Sequence, residues 1–286
     1  MRLAHNMYSM GIYKNYKVTL QAGSKALGNI SSGIKLNSAK DNANKIAQSE
    51  TLKMEILSRE AAQSNIQDTN SMLQTFDGAL QEINNNISRL ETLTVKAANG
   101  VNEEEDRQVI QKEIDGILKS LNDLAKNTSF NGMDLTSKKN VSNGSITDPN
   151  SPLTKKRSQI GALENETVEI PFFDLTIKGL GLDDIDVKTE DGASKALNKV
   201  DKATVIVSRI RSKYGALQSR LEETYSSMSA TNEDLLYAQS SLEDADVAEE
   251  MLKYTTSQII YQSSIALMAQ SNKFPQEALN ILANAR

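Results

Sequence analysis

Few side chains in this sequence could perform catalysis or hold a metal ion. The chain has one histidine, His5, and no cysteine among its 286 residues. Histidine clusters and cysteine thiolates are the usual ligands of zinc, so the composition argues against that class of site. The acidic run Glu103–Asp106 is more typical of a helix start than of a metal site. We therefore predict no enzyme activity, no catalytic residue, no metal and no cofactor.

The charge balance and the hydropathy pattern exclude two further classes of protein. With 32 basic and 37 acidic side chains, the sequence lacks the basic excess of most nucleic-acid binders. Its most apolar stretch near the C-terminus, Ile265–Ala269, is far shorter than the ~20 residues that cross a bilayer. The opening residues lack the apolar core of a cleaved secretory signal. We expect a soluble protein that binds no nucleic acid and is not inserted into a membrane.

The distribution of proline and the low aromatic content favour long helices over a round core. Aromatic residues make up 5% of the chain and tryptophan is absent, which leaves little bulky material for a globular core. Residues 1–148 and 172–274 contain no proline, the residue that most strongly interrupts helices.

An apolar seam with alternating steps of three and four residues recurs in three segments. The runs are Ile66–Ala97, Ile110–Leu124 and Val200–Ala245. A mean step of 3.5 residues is typical of helices that pack along one face, and no single helix can bury such a seam alone. We therefore predict a mainly α fold, a long coiled-coil-like helical bundle that forms an elongated rod. The seam residues for which we predict burial are Leu73, Phe76, Leu80, Ile83, Ile87, Leu90, Val207, Ile210, Leu217, Leu221, Leu235 and Leu242.

Turn residues mark the connections between the predicted helices. Asn99-Gly100 follows the first run, where glycine can take the left-handed conformation that ends a helix. Asn102 precedes the acidic run, so we predict that its side chain caps the next helix. Residues 136–159 are polar and rich in turn residues, and we predict a surface loop there.

The middle of the chain carries signals for strands. Asn131-Gly132 is a strong two-residue hairpin signal. Residues 168–177 alternate between apolar and polar, with Pro171 restricted to an edge or a bulge. We predict a small β-hairpin element here.

Both chain ends carry apolar stripes at helical spacing but too few partners to cover them. An isolated amphipathic helix is marginally stable in water, so we predict that these segments order when they meet a partner. The apolar faces would then be an association surface. The residues of this surface are Leu3, Met7, Leu27, Ile30, Met251, Tyr254, Ile265, Met268, Leu279 and Leu282.

Six segments, taken in order, resemble the motifs of bacterial flagellins. The similarity covers about the first 135 and the last 100 residues, and the combination is far more specific than any single motif. The segments are Ile30–Ala43, Leu73–Gly100, Ser129–Gly132, Gly215–Glu222, Ser241–Glu250 and Asn272–Leu279.

The resemblance implies a filament subunit for swimming motility that is exported unfolded by the flagellar type III route to the extracellular filament. It assigns residues 1–40 and 246–286 to the filament-core helices and residues 41–135 and 193–245 to the rod helices. Residues 136–192 would form a short variable loop and hairpin region, with little or no outer domain.

The resemblance also implies partners. Copies of the same chain would form a homopolymer, an export chaperone would bind the C-terminal helix, and cap and junction proteins would contact the filament. A Toll-like flagellin receptor would contact Arg89, Leu93 and Glu113. Ser88 and Glu91 differ from the residues usual at those positions.

Two alternatives remain at this point. A hook–filament junction protein shares the helical ends with flagellins, and filament length would separate the two. A non-flagellar coiled-coil adaptor would have the same seams, and its location inside the cell would identify it.

Overall fold

The computed structural model describes residues 6–136 and 147–284, most of which are helical. The prediction of a mainly α chain with a small β-hairpin element is confirmed. In chain order the elements are α1 (Met7–Ser32), α2 (Ala43–Ala97), α3 (Glu104–Asn127), β1 (Ser129–Phe130), β2 (Met133–Asp134), β3 (Thr154–Gln159), β4 (Thr167–Phe172), α4 (Glu190–Glu243) and α5 (Val247–Asn284).

The chain divides into two compact units. One consists of Met1–Ile56 and Glu233–Arg286, and we call it the terminal unit. The other is Leu57–Asn232, and we call it the central unit. Helices α2 and α4 contribute residues to both.

The apolar seams of the central unit form a continuous core. Residues at steps of three and four lie on one side of a helix, so each seam presents one apolar stripe. Burial of each such side chain contributes about 1.5–3 kcal/mol. The predicted seam residues that are fully buried are Leu73, Phe76, Leu80, Ile83, Ile87, Leu90, Val207, Ile210 and Leu221. Leu217 is half-buried against this core, and in the terminal unit Leu235 and Leu242 are half-buried.

Strand β4 packs on the helical core through its apolar side. Val168, Ile170 and Phe172 are buried, and the Phe172 ring meets the Phe76 ring edge-on at 5.7 Å. The buried Tyr214 hydroxyl donates to the Pro171 carbonyl at 2.8 Å, which fixes β4 to α4. The period-two pattern therefore located this strand correctly, but only as far as Phe172, where β4 ends.

The prediction of a surface loop over residues 136–159 is wrong for its last part, because Thr154–Gln159 forms β3. This strand pairs antiparallel with β4, with Lys155 opposite Pro171. Its sequence lacks apolar alternation because none of its side chains is fully buried, and Lys155, Lys156 and Arg157 are exposed. Side-chain bonds to α2 hold it instead, including Thr69 Oγ1 to Ser158 Oγ at 2.7 Å. Residues 137–146 of the predicted loop lie outside the described residues.

The connection between α2 and α3 differs from its prediction in detail. Asn102 does not cap α3; its Nδ2 donates to the Lys96 carbonyl at 2.6 Å, at the end of α2. Glu103 occupies the N-cap position of α3 and makes no side-chain capping bond. Gly100 has no positive φ, so the helix ends without a left-handed residue there. A free carbonyl at a helix end is as much in need of a partner as a free N–H, and the asparagine amide can satisfy either.

The Asn131-Gly132 turn is confirmed. Both residues are left-handed, with φ of 46° and 76°, as a two-residue turn between antiparallel strands requires. The turn joins β1 and β2, which pair Phe130 with Met133.

Candidate functional site: the paired terminal helices

In the terminal unit, α1 and α5 pair antiparallel through small and polar side chains. Gly23 lies so close to Ser257 that a Cβ on Gly23 would stand 3.2 Å from the serine Cβ. Ala26, Asn29 and Ser264 are buried in the same unit. Small residues allow two helix backbones to approach closely, so this contact needs few large apolar side chains.

The large apolar side chains of these two helices instead face outward. Met7 is 70% exposed and Tyr8 is 84% exposed. Ala26 and Ile56 are the only buried apolar side chains among the described residues of this unit. The other large exposed ones on α1 and α5 are Met10, Tyr13, Val18, Leu20, Leu27, Val247, Met251, Leu252, Ile259, Ile260, Ile265, Leu267, Phe274 and Ile281.

The predicted association residues are distributed over this outward surface. Met7, Leu27, Met251 and Ile265 are exposed. The half-buried members of the set are Ile30, Tyr254 and Met268. Leu3 and the side chains of Leu279 and Leu282 lie outside the described part of the chain.

Asn6 fastens the beginning of α1 to α5, a contact that the sequence did not reveal. Its Oδ1 accepts from the Ser9 N–H at 3.1 Å and so caps α1. Its Nδ2 donates to the Ser271 carbonyl at 2.9 Å and to Ser271 Oγ at 3.0 Å. Helix α5 runs through Pro275, which has no N–H to give to that carbonyl four residues earlier. Asn6 therefore supplies the donor that Pro275 lacks.

The end of α1 and the beginning of α5 are joined by backbone hydrogen bonds. Gly33 is left-handed, with φ of 71°, and ends α1. The Lys35 N–H donates to the Glu243 carbonyl at 2.7 Å, and the Ala245 N–H donates to the Gly33 carbonyl at 2.9 Å. Asp246 Oδ1 then accepts from the Ala248 N–H at 2.9 Å and caps α5. We call residues 33–35 and 243–245 the joint.

Charged side chains near the joint pair within their own segments. Lys25 Nζ lies 2.6 Å from Asp41 Oδ1, and this hydrogen bond holds the pKa of Asp41 below its ordinary value. Lys253 lies 2.9 Å from both Glu250 and Glu249, and its hydrogen bonds to them raise its pKa.

Tyrosine rings continue the α1–α5 contact away from the joint. The Tyr16 ring lies 5.3 Å from that of Tyr261 and 6.1 Å from that of Tyr13. The Lys17 ammonium lies 4.9 Å from the centre of the Tyr13 ring. Such aromatic pairs contribute ~0.5–1.5 kcal/mol beyond the area they bury.

The structure brings together two of the three residues that the resemblance assigns to receptor contact. Arg89 Nη2 donates to Glu113 Oε1 at 2.6 Å, between α2 and α3, and both side chains remain about half exposed. Leu93 is only 4% exposed, because it points into the core of the central unit. A direct receptor contact would require this side chain to lie on the surface of the monomer, and it does not.

The described residues contain no group of three side chains suited to hold a metal ion. None of the described helices combines the length and the apolar character that spanning a bilayer demands.

Comparison with known proteins identifies the family. The model of the bacterial flagellin N-terminal helical region matches residues 3–141, and that of the C-terminal helical region matches residues 197–282. The flagellin of Halalkalibacterium halodurans is 31% identical over 284 residues, which cover 99% of this chain and all of that protein. The chain belongs to the flagellin family. The resemblance inferred from the motifs is thereby confirmed, and the non-flagellar adaptor is excluded.

One further relative and one solved structure are similar to this flagellin-family chain. The flagellar filament 33 kDa core protein of Treponema phagedenis is 30% identical over 288 residues, covering 99% of this chain and all of that protein. A solved structure of a putative flagellar hook-associated protein from Vibrio parahaemolyticus superposes with a TM-score of 0.60. It covers 71% of this chain and all of that one at 13% identity, so this likeness concerns the fold alone. The family is one of filament structural proteins rather than enzymes.

Proposed function

We propose that this chain polymerises into the extracellular filament of a bacterial flagellum used for swimming, after export in unfolded form by the flagellar type III route. The observation that supports this proposal most strongly is which side chains of α1 and α5 face solvent. Their mutual contact uses small and polar residues and the Tyr16–Tyr261 ring pair, whereas most of their large apolar side chains face solvent. The central unit of the same chain buries most of its apolar side chains, so the large exposed ones are concentrated in the terminal unit.

Copies of the same chain are the partners that would cover these faces. Each large apolar side chain that becomes fully buried contributes about 1.5–3 kcal/mol. With several such residues on each helix, neighbouring copies can offset the entropy lost when the helices become ordered. Exposed patches of this kind on a monomer are typical of protein–protein interfaces.

Other partners would cover the apolar faces of the terminal helices before export and at the two ends of the filament. Before export, the apolar face of α5 would be shielded by an export chaperone, since Met251, Ile259 and Ile265 would otherwise promote aggregation. At the two ends of the filament, uncovered copies of the same faces would contact the cap protein and the junction protein.

We also propose that a Toll-like flagellin receptor contacts the surface around Arg89 and Glu113. The ion pair between them is exposed and lies on two neighbouring helices, so it is reachable by a partner. Leu93 would act indirectly, by packing α2 so that Arg89 faces Glu113.

The test is seeded growth of the purified full-length chain, examined by negative-stain electron microscopy. Fragments of its own filaments should elongate into long filaments of uniform diameter. A chain that stays monomeric beside seeds would contradict self-assembly. Growth that stops at short stubs or caps the seeds would favour a junction protein instead.

A further inference from the structure

The two sequence segments of the terminal unit carry opposite charge. Residues 1–56 contain eight basic and three acidic side chains, and the first 40 residues contain no acidic side chain at all. Residues 233–286 contain eight acidic and three basic side chains. Because these two segments form one compact unit and carry opposite charge, they would be expected to form ion pairs with each other.

The described residues of the two segments do not form such pairs within one chain. Lys25 pairs with Asp41 in its own segment, and Lys253 pairs with Glu249 and Glu250 in its own segment. Among the described residues, no ion pair joins a lysine of residues 6–56 to a carboxylate of residues 233–284. The ammonium of Lys35 does reach across, but to the Ser241 carbonyl at 2.8 Å rather than to an acid.

On α1 and on the part of α4 that belongs to the terminal unit, two pairs of neighbouring like charges form no ion pair among the described residues. Lys14 and Lys17 are exposed on α1, and neither meets a carboxylate within the described part of the chain; Lys17 lies against the Tyr13 ring instead. Glu233 and Asp234 are exposed on α4 and meet no cationic side chain in residues 6–136 and 147–284.

We propose that Lys14 and Lys17 of one copy pair with Glu233 and Asp234 of a second copy during assembly. This inference rests on the proposed self-assembly and names the charges that align neighbouring copies. Because the two surfaces are different parts of the chain, the contact is heterologous: every copy offers one lysine surface and one carboxylate surface. A heterologous contact that does not close into a ring continues into an open helical array, which is the geometry of a filament.

Charge reversal on each side provides the experiment. The first variant is K14E/K17E, the second is E233K/D234K, and the third combines all four substitutions. All changed residues are exposed in the monomer, so circular dichroism should show unchanged helicity. The matched control is K112E/K119E, which makes the same change of net charge with two exposed lysines of α3.

Seeded elongation, measured by pelleting, should fall about tenfold or more for each of the first two variants, because like charges then face each other. Elongation by the variant with all four substitutions should return to within about threefold of the wild type, and the K112E/K119E control should also stay within about threefold of the wild type. An equimolar mixture of the first two variants should also elongate, since the acidic α1 of one would meet the basic α4 of the other. Elongation of the wild type should weaken as salt is raised.

Several results would overturn the inference. If the wild type elongates and K14E/K17E does so equally well, the charges have no role, although self-assembly itself would stand. If the variant with all four substitutions elongates but the equimolar mixture of the first two variants does not, the pairing occurs within one chain. If the wild-type monomer binds phosphatidylglycerol vesicles, K14E/K17E does not, and neither combination rescues elongation, the lysines serve a lipid surface instead. Failure of the wild type to elongate would remove the proposed function first.

Discussion

Asn6 and Ser271 are 265 residues apart in the chain, yet the Asn6 Nδ2 donates to the Ser271 carbonyl at 2.9 Å. The bond exists because Pro275 cannot donate to that carbonyl within α5, which leaves a backbone acceptor available to α1. One amide thereby caps α1 and satisfies the gap in α5, so the two chain ends are held in register.

Replacing Asn6 with alanine should loosen the free ends of both helices. Loss of an N-cap costs ~0.5–2 kcal/mol. We expect amide exchange near Ser9 to accelerate about fivefold in the monomer, measured by hydrogen exchange with mass spectrometry. Asn15→Ala is the matched control, because Asn15 is exposed on the same helix.

Pro275→Ala tests the other half of this relationship. The new N–H can bond to the Ser271 carbonyl, so Asn6→Ala should cost less in this background than in the wild type. Equal costs in the two backgrounds would show that Asn6 acts only as the cap of α1.

The seam of α2 should dominate the stability of the central unit. Leu80 is fully buried, so Leu80→Ala removes apolar contacts and leaves a cavity, at a cost of about 2–5 kcal/mol. The urea midpoint of the full-length chain should fall accordingly. Leu163→Ala, at an exposed loop position, should change it by less than about 0.5 kcal/mol. Similar effects at both sites would contradict the assigned core.

Tyr214 should make the chain sensitive to alkali. Burial raises the pKa of Tyr214 above its ordinary value of 10.0. The protonated hydroxyl is therefore favoured in the folded state. Its contribution to the free energy of unfolding is complete below the pKa that this tyrosine has in the unfolded chain, and it is lost as the pH rises above that value. The melting temperature should decline above about pH 10, and Tyr214→Phe should flatten that decline. Tyr237→Phe, at an exposed position, should leave it unchanged.

Variants of the ion pair between Arg89 on α2 and Glu113 on α3 can test receptor recognition without a change in stability. An exposed pair contributes ~0–1 kcal/mol, so Arg89→Ala and Glu113→Ala should hardly alter the urea midpoint. We expect each to lower activation of a cell reporter for the Toll-like flagellin receptor. Lys155→Ala breaks another exposed pair, with Glu169, and serves as the control. Unchanged activation by both variants would place the receptor contact elsewhere.

Shortening either end should separate folding from assembly. Without residues 1–33 or residues 257–286, the central unit keeps its whole apolar core. We expect a helical monomer that does not elongate seeds, detected by circular dichroism and pelleting. Filaments of normal diameter from either shortened chain would contradict a role for the terminal helices.

The predictable parts of this fold are those encoded by local periodicity. The seam from Leu73 to Leu90 repeats often enough to specify a helix and its buried face. The Asn131-Gly132 turn requires two left-handed residues, which few other dipeptides tolerate. Both features follow from neighbours in the sequence, so they could be found without coordinates.

The parts that could not be predicted depend on partners distant in the sequence. Strand β3 has no apolar alternation and exists because β4 offers its backbone groups for pairing. Gln111 is buried and bonds to the Ile185 carbonyl and the Val187 N–H at 2.9 and 2.8 Å, which fixes the loop before α4 to α3. Asn102 looks like an ordinary helix cap in the sequence but does not cap α3, and only the fold shows which carbonyls the amides of Asn102 and Asn6 meet.

The most direct test of the central claim is methionine oxidation in the monomer and in the filament. Met7, Met10 and Met251 are exposed in the single chain, whereas Met72 is buried and serves as the internal control. Peroxide converts accessible methionine to its sulfoxide, which mass spectrometry quantifies residue by residue. If neighbouring copies cover the terminal helices, the first three should oxidise about tenfold more slowly in pelleted filaments, with Met72 slow in both states. Equal oxidation rates at Met7, Met10 and Met251 in monomer and filament would contradict the claim.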